Sequence, residues 1–197
     1  MLFDVHTHKK PISGSSAIYN ISLNEVENFL ASDVQAQFSA GIHPCFIDDL
    51  ADEWLEKMKT WLNDARFTAI GECGLDKNSE TPLEKQIEIF KKQIALSEKW
   101  KKTLIIHCVG CFNKVLNLKK QLNPQQKWII HGFRGKPQLA QQVLKAGGYL
   151  SFGEHFNPES VRITPSEKLF VETDESELSI EEIFAKVNKE KSCIFAN

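Results

Sequence analysis

The sequence predicts an α/β fold, a shortened (β/α)8 TIM-type barrel in which some crossover helices are reduced or missing. Eight strand-like runs are separated mostly by helices, several of these runs are apolar throughout, and polar residues cluster at the carboxyl ends of most of them. Apolar strands that alternate with helices indicate a parallel sheet covered on both faces, and eight such units favour a closed barrel. An open doubly wound sheet would need a Gly-rich nucleotide-binding turn, which the sequence lacks.

The predicted strands share an apolar, often β-branched character and are bounded by turn residues. They lie within residues 1–8, 17–21, 37–44, 67–72 running into 74–76, 103–107, 128–131, 149–153 and 168–174. The predicted helices have apolar residues at helical spacing. They lie at about 22–30, 52–65, 81–100, 112–118 and 136–146, and from 179 onward.

Helix start signals support several of these assignments. Residues 22–25 and 179–182 fit capping boxes, and Thr81 followed by Pro82 is typical of a helix with proline at its first position. No helix is expected after the first strand, where a Pro/Gly/Ser loop stands, or within the Pro-, Asn- and Ser-rich link 154–166.

The composition is that of an ordinary globular protein. A length of 197 residues predicts one domain, 1–197, and a net charge of −2 argues against nucleic-acid binding through bulk charge. We expect no signal peptide and no membrane span. The five cysteines are odd in number and lack a framework spacing, which favours reduced thiols in the cytoplasm. Cys108 and Cys111 have the spacing of a redox or zinc pair, but without a second pair a structural role is favoured.

Two histidines at the end of the first strand are the central feature of the chain. Side chains of a strand alternate between faces, so His6 and His8 leave the same face and could chelate a metal. Asp4 falls on that face one pleat deeper, where it could orient a ligand. Taken alone, the pair is equally typical of a surface-exposed strand end.

Other predicted strands deliver similar residues to the same place. Carboxyl ends of barrel strands meet at one mouth, where active sites lie. The predicted mouth collects His6, His8, His43, Glu72, His107, His131 and Asp174. Five of the six histidines of the chain are in this set, so a mixed histidine and carboxylate metal centre explains the pattern better than chance placement.

Six stretches of the chain carry a family resemblance. They are residues 4–8 (DVHTH), 41–44 (GIHP), 69–76 (AIGECGLD), 105–107 (IIH), 131–135 (HGFRG) and 172–174 (ETD). In order and rough spacing they resemble the TatD family of metal-dependent hydrolases, within the amidohydrolase-like barrel superfamily, and they extend over most of the chain.

The resemblance implies two divalent metal ions, drawn from Zn, Mn, Mg or Fe. One ion would be held by His6, His8 and Asp174 and the other by His107 and His131, with Glu72 as the bridge. Two such ions can activate a water and stabilise both the attacking and the leaving oxygen of a phosphoester. Asp174 would accept the proton of this water, so Asp174 and Glu72 are the predicted catalytic residues.

The chain departs from the family pattern in the loops that would contact substrate. It is shorter than a typical member, residues 108–110 replace an Arg-containing segment, and Glu175-Ser176 replaces a Ser-Pro pair. His43 and Arg134 are predicted to bind substrate, although His43 would equally suit a cap or a contact to a metal ligand. Local positive charge for a phosphate would come from Lys9, Lys10, Lys77, Arg134 and Lys136 on predicted mouth loops.

Three functions remain open at this stage. The leading hypothesis is a divalent-metal phosphoesterase or deoxyribonuclease of TatD type, which acts on DNA ends or a small phosphoester. The second keeps the metal centre but hydrolyses amides or lactones or deaminates, as the wider superfamily does. The third is a catalytically impaired barrel that binds metal or a partner protein. We expect no membrane association and no obligate protein partner.

Overall fold

The barrel predicted from the sequence is confirmed by a computed structural model, which describes residues 2–192. Its eight parallel strands follow the order of the sequence, and β1 pairs with β8 to close the sheet. The strands are β1 Asp4–Thr7, β2 Ala17–Asn20, β3 Gln37–Ala40, β4 Phe67–Asp76, β5 Thr103–Val109, β6 Trp128–Ile130, β7 Tyr149–Phe152 and β8 Leu169–Val171.

Helices follow most of the strands. They are α1 Val26–Ala31, α2 Ala51–Trp61, α3 Leu83–Trp100, α4 Phe112–Leu122, α5 Pro137–Lys145, α6 Pro158–Ile163 and α7 Ile180–Ser192, with 3-10 turns at Pro44–Phe46 and Ser166–Lys168. Within the described chain no helix joins β1 to β2, as predicted. None of the described helices combines the length and the apolar character needed to cross a membrane.

The prediction that residues 154–166 contain no helix is wrong. The short helix α6 begins there because the side chain of Asn157 accepts a hydrogen bond from the backbone N–H of Ser160 at 3.0 Å, and Pro158 occupies the first turn. Six residues are too few to show a helical period in the sequence. The Pro-, Asn- and Ser-rich composition therefore led to the prediction of a link without a helix.

The helix start signals have mixed outcomes. The capping box before α7 is confirmed, since Ser179 Oγ accepts from Glu182 N at 3.2 Å and Ser179 N donates to Glu182 Oε2 at 2.8 Å. The box at residues 22–25 is wrong, because these residues form a turn and α1 begins only at Val26, without a side-chain cap. Pro82 is the cap residue of α3 and not its first helical residue.

Two apolar clusters hold the barrel together. The larger one lies between the sheet and its helices and includes the fully buried Phe38, Phe90 and Trp128. The smaller one contains Val5, Ile18, Ala69, Ile105 and Ile129 and draws only on strands. Because β1 and β5 stand on opposite sides of the closed barrel, their residues can share a cluster only across its interior. The barrel interior below the polar mouth is therefore filled by packed apolar side chains.

The mouth is shaped by the long fourth strand and by the end of the eighth. Strand β4 continues for 10 residues and pairs along β5, where Gly74 is in register with His107. Gly74 has φ +137, and a side chain there would overlap the carbonyl oxygen of His107, so only glycine permits this approach. Strand β8 ends at Val171, earlier than predicted, and Asp174 rejoins the sheet through an isolated bridge to Thr7.

Candidate metal centre

Glu72 on β4 lies at the centre of the polar mouth, where several histidines surround its carboxylate. Its Oε1 lies 2.8 Å from His6 Nε2, 3.0 Å from His131 Nε2 and 3.6 Å from His8 Nε2. Its Oε2 lies 3.5 Å from His43 Nε2. The carboxylate therefore faces four histidines from three parts of the chain, and only 12% of its side chain is exposed to solvent.

Asp174 approaches the same histidines from β8. Its Oδ1 lies 3.6 Å from His6 Nε2 and 3.6 Å from His8 Nε2. The backbone is held on both sides, because Asp174 N donates to His6 O at 3.0 Å and His8 N donates to Asp174 O at 3.1 Å. Between these bonds Asp174 has φ +52, a left-handed conformation that is uncommon for residues other than glycine.

The ligand-type atoms form two groups, each with its members within 4.8 Å of one another. The first group is His6, Glu72, His131 and Asp174, and the second is His43, Glu72 and His107. Glu72 belongs to both, as a bridging carboxylate would. The grouping differs from the one implied by the family resemblance, since His131 falls with His6, and His8 stands at the edge of the first group.

These residues fit a divalent cation. Imidazole nitrogens and carboxylate oxygens are the donors that Zn²⁺, Mn²⁺ and Fe²⁺ accept. The Nδ1 atoms of His6 and His131 are buried and have no hydrogen-bond partner among the described residues. The other ring nitrogens, His6 Nε2 and His131 Nε2, face Glu72 Oε1 at 2.8 and 3.0 Å, which is where a cation would be held.

Electrostatics in the cluster follow from burial and from close pairing. Burial alone would raise the pKa of Glu72, but hydrogen bonds with His6 and His8 hold it far below its ordinary value. Burial acts to lower the pKa of His131, yet pairing with Glu172 and Glu72 raises it to about 9. The protein without metal therefore keeps a proton on His131, and this proton is released when a cation takes its place.

His43 differs from the other histidines because its second nitrogen is engaged. His43 Nδ1 accepts a hydrogen bond from the backbone N–H of Cys45 at 3.1 Å, as the cap of the turn Pro44–Phe46. Burial and the nearby His107 lower the pKa of His43 to about 4, so the ring is neutral. A neutral ring whose Nδ1 accepts must carry its proton on Nε2, which makes His43 a hydrogen-bond donor toward the cleft.

Asp76 is a site residue that the sequence analysis did not single out as one. Its Oδ2 lies 2.8 Å from His107 Nε2, while its Oδ1 accepts from Asn78 N at 2.7 Å. Burial opposes ionisation, but the hydrogen bond from His107 keeps the pKa of Asp76 below its ordinary value. A carboxylate behind a ligand imidazole fixes its orientation and raises its basicity.

Two more positioning contacts were missed in the same way. The fully buried Glu172 lies 3.6 Å from His131 Nδ1 through its Oε1, which also accepts from the backbone of Gly132. Asn20 Oδ1 accepts from the backbone N–H of Glu72 at 3.1 Å. Asn20 ends β2 and Glu172 directly follows β8, so position could have suggested both residues, but neither an amide nor a second carboxylate at a strand end is distinctive in a sequence.

Asp4 has a different partner from the one expected. Its carboxylate accepts hydrogen bonds from Thr173 Oγ1 at 2.6 Å, from Thr173 N at 3.0 Å and from His6 N at 3.3 Å. Asp4 thus joins Thr173, which follows β8, to β1 through the hydroxyl and backbone N–H of Thr173 and the backbone N–H of His6, and it makes no described contact with an imidazole ring. It orients the ligands by fixing the two strands that carry His6 and Asp174.

The predicted mouth cations are all exposed: Lys9, Lys10, Lys77, Arg134 and Lys136. Arg134 is the best placed of them, since it lines two cavities that also contain Asp174, of about 220 and 440 Å³. It has no ion-pair partner within residues 2–192, so its charge is available to an anion. Lys9 Nζ instead donates to Leu178 O at 2.8 Å.

The cysteine pair lies beside the site without joining it. Cys108 and Cys111 are free thiols at the junction of β5 and α4, and neither belongs to a ligand group of the described residues. Burial raises the pKa of Cys108 to about 12 and also raises that of Cys111, which disfavours the thiolate needed for metal or redox chemistry. Cys193 lies outside the described residues.

Comparison with known proteins places this geometry in a family. The sequence profile described as TatD related DNase matches residues 4–189. An uncharacterized metal-dependent hydrolase from Buchnera aphidicola is 31% identical over 161 residues, which are 77% of this chain and 60% of that protein. The protein from Cronobacter sakazakii named 3'-5' ssDNA/RNA exonuclease TatD is 28% identical over 147 residues, which are 69% of this chain and 56% of that one.

The aligned region covers only part of these relatives, and a solved structure has the same fold. The alignments with these curated relatives extend over only 56–60% of their length. Among solved structures, YjjV, a TatD homologue from Escherichia coli K12, has a TM-score of 0.81 at 20% identity, with 96% of this chain and 90% of that chain covered. A likeness at this identity demonstrates a shared fold. From the match over residues 4–189, the chain belongs to the TatD related DNase family.

Proposed function

We propose that this protein is a divalent-metal phosphodiesterase that removes nucleotides from the ends of nucleic-acid strands. The observation that carries the proposal is the convergence of histidine and carboxylate donors on Glu72, in two groups whose ligand atoms lie within 4.8 Å of one another. Support for the substrate class comes from relatives named as 3'-5' exonucleases of single-stranded DNA and RNA. DNA ends and small phosphoesters are the substrates to test first.

In this proposal the centre holds two cations with Glu72 between them. The proposed ligands are His6, His8, Glu72, His107, His131 and Asp174. When bound, two such cations lower the pKa of water and neutralise the charge that develops on the oxygens of a phosphoester. Zn, Mn, Mg and Fe are all candidates, because availability in the cell decides among cations that the same donors accept.

Asp174 is the proposed general base. Its side chain is 27% exposed, against 12% for Glu72, so its carboxylate can reach a water that Glu72 cannot. The two backbone hydrogen bonds that fix Asp174 hold this carboxylate at the level of His6 and His8. Asp174 would accept the proton of the attacking water at a carboxylate oxygen.

His43 and Arg134 are the proposed substrate contacts. His43 carries its proton on Nε2, which faces Glu72 and the cleft, and can donate it in a hydrogen bond to a phosphate oxygen. Arg134 lines the cavities on the other side of Asp174 and can pair with the phosphates of the strand beyond the cleaved bond. The substrate would thus cross the mouth between these two residues.

The test is hydrolysis of a labelled single-stranded DNA oligonucleotide by the protein loaded with Mn²⁺, Mg²⁺ or Zn²⁺. Asp174→Asn should lower kcat by at least about a hundredfold, in line with the loss of a general base. Asp49→Asn makes the same chemical change on an exposed loop and should leave turnover unaltered. Absence of phosphodiester turnover in the metal-loaded protein, together with hydrolysis of lactones or amides, would replace this function by that of the wider superfamily.

We also propose that the protein works in a reducing compartment such as the cytoplasm. All four described cysteines are free thiols, and three of them are buried or partly buried. Fractionation of cells with an antibody against the protein tests the location directly.

A further inference from the structure

A cleft of about 590 Å³ opens beside the proposed metal ligands on the side away from Arg134. It shares His8, His43 and Glu72 with the centre, so an occupant would lie against the reacting groups. Its volume is in the range of small-molecule sites. The steps assigned so far to Asp174 and Arg134 make no use of this space.

Phe46 forms a fixed aromatic platform at the edge of the cleft. Its side chain is 78% exposed, the largest exposure among the large hydrophobic side chains of the described chain. The ring stands 5.2 Å from the His43 ring at an interplanar angle of 38°. The turn that carries it is held by Phe46 N donating to His43 O at 3.0 Å and by the bond from Cys45 N to His43 Nδ1.

The remaining walls of the cleft are apolar, uncharged polar or acidic. Leu23 and Trp54 contribute apolar surface, while Asp48 and Glu175 contribute carboxylates. Within residues 2–192, no lysine or arginine lines the cleft. A phosphate is therefore disfavoured in it, whereas a flat, uncharged ring can stack on the aromatic side chains. Every nucleobase has such a face, and stacking on aromatic residues is tolerant of sequence.

From this combination we infer that the cleft binds the terminal nucleoside of a nucleic-acid strand, with its base stacked on Phe46 and its free hydroxyl end toward the acidic wall. The inference rests on the proposed function, because it places the cleaved phosphate at Glu72 and Asp174. The strand then leaves toward Arg134, where positive charge lies. The site would take an end of a strand and would exclude a strand that continues beyond the cleft.

Removal of the platform is the first test. Single-stranded oligonucleotides with an ordinary terminal base are compared with oligonucleotides that have an abasic terminal sugar, at the 3' end and at the 5' end separately. Phe46→Ala should raise KM for the ordinary end by about tenfold, the effect of one stacked base, and should change KM for the abasic end little. Phe46→Tyr should restore the wild-type KM, and Leu122→Ala, at another exposed apolar residue, should have no effect.

The acidic wall of the cleft provides a second, independent test. A terminal phosphate on the end that enters the cleft should raise KM for the wild-type protein, and Asp48→Asn should recover part of this loss. Asparagine can still accept the hydrogen bond that Leu50 N gives to Asp48 Oδ1 at 3.0 Å, so the loop should keep its conformation. Equal KM values for phosphorylated and unphosphorylated ends would contradict an acidic end wall.

A binding measurement separates this inference from the proposed function. Titration with thymidine should quench Trp54 fluorescence in the wild-type protein and not in Phe46→Ala, with Trp54→Phe to assign the signal. Quenching without any phosphodiester hydrolysis would retain the nucleoside cleft and refute the nuclease. Hydrolysis with the same KM for ordinary and abasic ends, together with no quenching, would overturn the cleft and retain the nuclease.

Discussion

Replacing Asp76 by asparagine should weaken the half of the centre that contains His107. The Oδ2 atom of Asp76 lies 2.8 Å from His107 Nε2, and only 10% of its side chain is exposed. A hydrogen bond to a charged group is worth about 1.5–3 kcal/mol, which corresponds to roughly 10- to 150-fold in affinity. Asparagine keeps the shape but loses the charge, so we expect an effect near the lower end, in the range of about 10–100-fold found when such supporting carboxylates are removed.

The assay is a titration of the metal-free protein with Zn²⁺ or Mn²⁺ against a chelator that absorbs light. Wild type should bind in two steps, and Asp76→Asn should weaken one step while the other, centred on His6 and Asp174, stays unchanged. Asp49→Asn is the matched control. The reasoning would be refuted if Asp76→Asn left both steps unaltered or weakened both equally, because the carboxylate would then not act through His107.

Three further changes test the scaffold by thermal or denaturant unfolding. Arg66→Ala should destabilise the protein by about 2 kcal/mol, since its guanidinium donates to three backbone carbonyls of residues 30–34; an unchanged melting temperature would show that these bonds contribute nothing. Gly74→Ala should cost more than about 3 kcal/mol because a side chain would overlap His107 O, whereas Gly14→Ala, with nothing within 4 Å, should cost about 1 kcal/mol. The hydrogen bond from Arg66 lowers the pKa of Asp64 in the folded protein below its ordinary value of 3.8. The ionised Asp64 carboxylate therefore stabilises the fold above pH 3.8, and this stabilisation is lost as the pH falls through the lowered pKa. Asp64→Asn should therefore show a weaker fall of stability in acid than wild type, and identical acid curves would contradict the pairing.

The barrel and the residues at its mouth could be predicted because both depend on short-range patterns. Apolar runs bounded by turns identify the strands, and in a parallel barrel every strand delivers its last residues to the same end. That rule is sufficient to bring Glu72, His131 and Asp174 together without knowing any contact. The structure does bring them together, in one group of ligand atoms.

The missed contacts depend on pairings between distant parts of the chain. The bond between Asp76 and His107 joins residues 31 apart and exists because β4 runs on past Glu72 in register with β5. Asp4 faced an unexpected partner because the register of β1 shifts between Asp4 and Thr7, which breaks the simple alternation of faces. The sequence predicts that β4 continues to residues 74–76, but neither its register with β5 nor a bulge in β1 leaves a pattern in the sequence.

The grouping of the ligand-type atoms is the part of the candidate site that residue patterns could not supply. The family resemblance places His131 with His107, while the structure groups its ligand atom with that of His6. Three imidazoles face the same Glu72 oxygen at 2.8 to 3.6 Å, so the order of the strand ends does not separate them. The residues that reach the mouth can therefore be predicted from strand ends, whereas the grouping of their ligand-type atoms depends on side-chain positions that strand ends do not determine.

The most direct test of the metal centre is the metal content of the purified protein, measured for wild type beside Glu72→Ala after reconstitution with Mn²⁺ or Zn²⁺. Because Glu72 belongs to both groups of ligand atoms, we expect two metal ions per chain in wild type and at most one in the variant. Circular dichroism of both proteins controls for folding. A wild-type protein that binds no metal, or a folded variant that still binds two, would contradict a centre built on Glu72.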